Sequence, residues 1–112
     1  MTELNKGDIC LVNFNPAKGG EMGKLRPAIV MSSIEENTLL DTVIVIPLST
    51  YIEKDTLPYR YLIKKRDKLY QDSDACVYEI RALSKIRIKD KLAMLNDNEL
   101  STIQNALCQI LG

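Results

Sequence analysis

From Asp8 to Leu95 the chain is a succession of short β-rich runs, and no stretch between two of them is long enough for a crossover helix. Parallel neighbours need such a crossover, so the sheet is expected to be antiparallel. Strands are expected at residues 8–14, 25–32, 42–48, 59–64, 75–81 and 88–95, with 82–87 a turn or helical turn. The Val-Ile run from Thr42 to Leu48 is nearly unbroken, which suggests burial on both faces. Pro47 is expected to end its regular pairing, and Pro27, lacking an N–H, to sit near the start of its strand or on an edge. Short strands in this number suggest a small curled barrel.

The tail has a different period. Asn96 is a good N-cap and Glu99 stands three residues later, a capping-box spacing. Asp97 and Glu99 favour the positive end of a helix. Leu100, Ile103, Leu107, Ile110 and Leu111 make one apolar stripe at helical spacing. A helix over 97–111 is expected to pack this stripe on the barrel, with part of it available to a dimer interface. The fold class is therefore mainly β: an antiparallel barrel plus a C-terminal helix.

A chain of 112 residues makes one domain, spanning 1–112. No run of 18 apolar residues is present, so no membrane span is expected. The opening MTELNKGD is polar and of mixed charge, unlike a signal peptide, and a cytoplasmic location is expected. Cys10, Cys76 and Cys108 are widely spaced, without a CxxC pair, and histidine is absent. A zinc site is not expected from such a set. Each cysteine lies among apolar residues and reads as a small buried hydrophobe. The formal net charge is zero, which counts against a generally basic nucleic-acid binder. Charge is unevenly placed, however, and placement matters more than the sum. Lys64, Lys65, Arg66 and Lys68 form one basic run, and Lys85, Arg87, Lys89 and Lys91 would share a face if they lay on one strand. Each run alone reads as a solvated face.

The stretch Gly7–Val30, GDICLVNFNPAKGGEMGKLRPAIV, joins a strand to a second one through a long glycine-rich loop. Long loops in compact domains are commonly functional. Gly19, Gly20 and Gly23 allow the loop to move or to adopt positive φ. The loop delivers Arg26, a permanent cation with a forked set of donors, to the start of a strand. That arrangement suits a phosphate.

These residues resemble the MazF/PemK/Kid toxins of bacterial toxin–antitoxin pairs. The resemblance is carried by Gly7, Asp8, Ile9, Phe14, Pro16, Gly19, Glu21, Lys24, Arg26, Pro27, Ala28 and Val30, then by VIVIPLST and YEIRALSKIRI in the family's order and spacing. It implies an SH3-like barrel that forms homodimers, and a metal-independent endoribonuclease, needing no cofactor, that cuts single-stranded RNA (mRNA) at short sequences. It also implies a cognate antitoxin whose disordered acidic tail lies across the RNA groove and orders on binding.

RNA is cut without a metal when its own 2′-hydroxyl attacks the adjacent phosphorus, provided that donors offset the charge on the phosphorane. Without histidine, the groups left for this work are Arg, Lys, Ser, Thr, Tyr and carboxylates. Arg26 takes the family's catalytic arginine position, and its fork can donate twice to one phosphate; a surface ion pair with Glu21 is the plainer reading. Ser49 takes a position usually held by threonine. It and Thr50 can donate to a phosphate oxygen, or simply form a turn. Glu79 and Arg81, two apart on the expected fifth strand, would share a face. Glu79 is then a candidate general base, or half of a structural ion pair. The chain departs from the family here, with Tyr78 where some members have an acid and Glu79 where many have Gln. Tyr78 can donate to RNA, stack on a base or join the core. Asn15, Lys18, Glu21 and Lys24 are candidate RNA contacts from the loop, with plain solvation as the alternative for the lysines. Tyr51 and Tyr59 flank the second loop, where they can stack on splayed bases, Tyr59 equally joining the core. Two rivals remain: a non-catalytic SH3-like binding module, and a gyrase-poisoning toxin like CcdB, against which the lack of any aromatic residue after Tyr78 argues.

Overall fold

Alternating apolar residues pair β1 (Asp8–Asn13) with β2 (Leu25–Val30), in a register that sets Cys10 against Ala28 and Val12 against Arg26. The computed structural model describes residues 3–14 and 25–112. Gly7 enters β1 with φ +94°, a conformation that a side chain would strain. Its N–H donates to Val30 O and its carbonyl accepts from Leu95 N–H, tying three segments together. Asp8 is buried and spends its carboxylate on Asn5 N–H and Lys91 Nζ.

Further strands are β3 (Thr42–Ser49), β4 (Arg60–Ile63), β5 (Ser73–Cys76), β6 (Arg81–Ser84) and β7 (Ile88–Met94). The order is β4-β5-β3-β2-β1-β7, with β6 also on β3, and every pairing is antiparallel, as expected. The ends of this path approach each other: Lys68 N–H, in the connection after β4, donates to Leu92 O on β7. The fold is thus mainly β, with a curled antiparallel sheet and the C-terminal helix α2 (Asp97–Leu111).

Strand β3 organises the molecule. One edge holds β2 over Val45–Pro47; the other holds β6 over Thr42–Val45 and β5 over Leu48–Ser49. Pro47 ends the pairing with β2, as expected, yet the strand continues against β5. The expected single strand at 75–81 is corrected here. It is β5, then a 3-10 turn at Val77–Glu79, then β6. The chain must step along one edge of β3 past Ile46 and Pro47, and the turn makes that step. It buries Val77 and leaves Tyr78 and Glu79 exposed. Glu79 and Arg81 therefore do not share a strand face.

The sheet packs on both sides. Ile9, Ile29, Ile46, Leu48, Ile63 and Ala75 meet Ile103 and Ala106 of α2, with Leu100, Leu107 and Ile110 against them. Leu111, assigned to the same stripe from its spacing, is exposed instead. Asn96 caps α2 in a full capping box with Glu99. On the other side Cys10, Val12, Ala28, Val30, Val43, Val45 and Ile88 cluster with Phe14 and Leu83. Cys10 and Cys76 are buried as expected, but Cys108 lies on the outer side of α2 and is exposed. A short helix, α1 (Ile34–Leu39), has no counterpart among the expected elements. Its centre is polar: buried Asn37 donates to Leu4 O and Ser32 O and accepts from Ser32 Oγ. Lys85 and Arg87 lie in a 3-10 turn rather than on a strand with Lys89 and Lys91, so the four do not form one basic face. Lys85 donates instead to Asn37 O. Among the described residues no helix is long and apolar enough to cross a membrane.

Candidate active site

Strand registers bring the candidate residues together. Ala28 faces Pro47, and continuing that register by two residues sets Arg26 level with Ser49. Alternation puts both on the side opposite the α2 core. Ser49 faces Asp74 across the β3–β5 pair, and Cys76 faces Arg60 across the β4–β5 pair. Arg26, Ser49, Asp74, Cys76 and Arg60 thus share one side at one end of the sheet. Leu48, Ala75, Tyr61 and Ile63, interleaved with them, turn into the α2 core.

A cavity of about 390 Å³ opens at this end, lined by Tyr59, Arg60, Cys76, Tyr78 and Glu79. Its size is in the range of small-ligand sites. Tyr59 and Tyr78 meet edge to face, ring centroids 5.9 Å apart. Both are exposed, Tyr78 at 69%, so neither belongs to the core and each presents a ring to solvent. The charges of Arg60, Glu79, Asp74 and Arg26 are all felt at the Cys76 thiol. Burial pushes that thiol above its ordinary pKa, the two acids add to the effect, and the two arginines oppose it.

Arg26 is half-buried, and its guanidinium has no hydrogen bond or ion pair among the described residues. Ser49 Oγ accepts from Tyr51 N–H at 3.1 Å. This is the expected turn, and it leaves the hydroxyl hydrogen of Ser49 available to a phosphate oxygen. Thr50 is exposed beside it. Tyr51 is exposed, its ring under the Arg60 guanidinium at 5.9 Å. Arg81 is placed apart from Glu79: its guanidinium lies 4.6 Å from the centre of the Phe14 ring, and the two residues form no ion pair. Asn15, Lys18, Glu21 and Lys24 lie outside the described residues. Among the described residues no cluster of His, Cys, Asp and Glu could hold a metal ion.

Sequence reasoning missed Arg60, Asp74 and Cys76. Their signal is positional and needs the β4–β5 hairpin register, which the polar connection between these strands does not reveal.

Residues 5–111 match the family described as the PemK-like, MazF-like toxin of type II toxin–antitoxin systems. The chain belongs to that family. It is 34% identical over 110 residues to the endoribonuclease MazF of Staphylococcus epidermidis, covering 97% of this chain and 92% of the relative. A MazE–MazF structure from Deinococcus radiodurans superposes with a TM-score of 0.84 at 21% identity, over 100% of this chain and 98% of that one. A mycobacterial endoribonuclease in complex with its cognate antitoxin gives 0.72 at 20% identity, over 100% of this chain and 96% of that one. These two likenesses establish that a PemK/MazF-type fold of antiparallel sheet and C-terminal helix is shared. The outward-facing Arg26 and Ser49 lie on segments through which the family match runs.

Proposed function

We propose that the chain is an endoribonuclease toxin that cuts single-stranded RNA by turning the substrate's own 2′-hydroxyl on the adjacent phosphorus. The observation that carries this reading is the shared level and face of Arg26 and Ser49, at a sheet end where the guanidinium has no partner among the described residues. The endoribonuclease relative from Staphylococcus epidermidis supports the reaction class.

In this reading the 2′-oxygen forms a bond to phosphorus and gives up its proton, and the bond to the 5′-oxygen breaks. The products are a 2′,3′-cyclic phosphate and a 5′-hydroxyl, the leaving 5′-oxygen taking its proton from water. Negative charge builds on the non-bridging oxygens between those events. Arg26 donates to them through its fork, and Ser49 or Thr50 adds a neutral donor. Glu79, an exposed carboxylate on the cavity wall, accepts the 2′-proton. Tyr78 and Tyr51 offer exposed rings for unstacked bases, and Arg81 a cation for the backbone. Asn15, Lys18, Glu21 and Lys24, from the glycine-rich loop of the sequence, are proposed as further RNA contacts. The chain acts as a homodimer in the cytoplasm and is silenced by an antitoxin whose acidic tail competes for the same cations.

The test is cleavage of a long single-stranded RNA in EDTA. Cuts at a short fixed sequence, ending in cyclic phosphate and blocked by a single 2′-deoxy nucleotide at the cut, are expected. An intact RNA would favour the binding-module reading, and inhibition of supercoiling without RNA cleavage the gyrase one.

A further inference from the structure

Arg60 is half-buried, with 19% of its side chain exposed, and it is the common wall of two cavities. One is the candidate active site. The other, of about 570 Å³, lies under the connection from β3 to β4 and is lined by Ile52–Leu57, Tyr61, Leu62 and Asp74. Three guanidinium nitrogens of Arg60 are engaged. Nε donates to Asp74 Oδ2 at 3.0 Å, Nη2 donates to Tyr51 O at 2.7 Å, and Nη1 lies 3.5 Å from Glu53 Oε1. Asp74 is only 2% exposed, and the same Oδ2 accepts from Glu53 N–H at 2.8 Å. Arg60 and Asp74 therefore grip residues 51 and 53 at three points.

Tyr51 is the link to the chemistry. Its carbonyl accepts from Arg60, and its N–H donates to Ser49 Oγ. The peptide group that Arg60 holds is one residue from the one that orients the Ser49 hydroxyl. Ser49 in turn faces Asp74 across the β3–β5 pair. We infer that Arg60, seated on buried Asp74, is a positioning residue that aims the Ser49 hydroxyl at the scissile phosphate; this rests on the ribonuclease reading above. Nε, Nη1 and Nη2 of Arg60 each face a protein acceptor, so the role assigned to it is to position Ser49 rather than to donate to the phosphate. A small displacement of a group that must meet a reacting phosphate is costly in rate, roughly a hundredfold for about an ångström.

The test measures single-turnover cleavage at saturating RNA, together with binding of the same RNA carrying a 2′-deoxy nucleotide at the cut. R60A is expected to slow saturated cleavage by up to about a hundredfold, a far larger effect than any on binding of the uncleavable RNA. R60K keeps a charge beside Asp74 but cannot span Asp74 and Tyr51 together, and is expected to lose roughly tenfold. In an S49A background neither substitution should slow cleavage further, because the group they position is gone. If R60A does not fold by thermal melting, R60K and its S49A pairing carry the test. Wild-type rates in the folded Arg60 variants overturn the inference. So does a full additional loss in the S49A background, or weakened binding with an unchanged saturated rate. A wild-type chain that cuts no RNA overturns the ribonuclease reading and the inference with it, whereas an active wild type with silent Arg60 variants overturns the inference alone.

Discussion

Two arginines, Arg66 and Arg26, show how this fold divides its charges. Arg66 holds the helix side: its guanidinium meets both oxygens of Glu99, with Nη2 to Oε2 at 2.7 Å, while Nε donates to Lys64 O. Glu99 also closes the capping box of α2, so one carboxylate fastens the helix to the connection after β4. Arg26, on the face of the sheet opposite α2, has no such partner among the described residues. A cation spent on a carboxylate stabilises the fold, and one left unspent is available to a ligand. The difference teaches that Arg66, paired to Glu99, serves the scaffold, while Arg26, without such a pair among the described residues, is left for the site.

The largest effect that can break this contrast is on Arg26. R26A is expected to lower the cleavage rate by at least about a hundredfold, as for loss of one donor to a developing oxyanion. Its unfolding free energy should stay within about 1 kcal/mol of the wild type, since no partner among the described residues is lost. Denaturant melts and a cleavage time course on the same preparation check both halves. A variant that is strongly destabilised would move Arg26 to the scaffold.

The converse substitution is E99A. It removes charge-assisted hydrogen bonds and a cap contact and is expected to cost about 2 kcal/mol, with cleavage unchanged where both proteins are folded. This contribution depends on pH with a definite sign. The side-chain hydrogen bond from Arg66, followed by the Asn96 backbone and the Arg66 charge, holds the Glu99 carboxyl below its ordinary value of 4.5 against the opposing effect of burial. The folded state thus binds the proton less readily than the unfolded one. The stability is fully present above the unfolded value and is lost as pH falls through the lower folded one. Thermal melts of wild type and E99A should differ at pH 7 and converge in acid. A gap that persists at the lowest pH would assign the effect to packing.

This division was partly legible in the sequence. The helix over 97–111 and its capping box could be read because the signals are local: Asn96 and Glu99 three apart, then an apolar stripe. The antiparallel sheet followed from connection lengths alone. The turn at Val77–Glu79 was not legible, because its cause is Pro47 and the step between two partners along β3, which lie far away in sequence. The helix α1 was missed because its buried centre is Asn37, whose amide is satisfied by Leu4 and Ser32. In the candidate site, Arg26 and Ser49 stood out by motif and Glu79 by a strand spacing from Arg81 that the turn removes, whereas Arg60 and Asp74 matter through a pairing that only the hairpin register reveals.

The cysteines offer the gentlest way to sharpen the contrast, because Cys108 lies on the helix side and Cys10 and Cys76 on the opposite one. Cys108 is on the outer side of α2 and exposed, Cys10 is buried beneath the second face, and Cys76 is buried at the cavity wall. Reaction with a soluble disulfide reagent needs both access and a thiolate. Burial first, then the charge of Asp8, pushes the Cys10 thiol up to about 11, against the pull of Lys91, so at pH 8 it has neither. Cys108 should therefore react first and without loss of cleavage, Cys76 slowly, and Cys10 only on unfolding. Uncleavable RNA should slow Cys76 further and leave Cys108 untouched, because only the former lines the cavity proposed for RNA. Mass spectrometry of timed samples reads the order directly. Equal protection of Cys76 and Cys108 by RNA would spread the contact surface over the helix side, and the separation between scaffold and site would no longer hold.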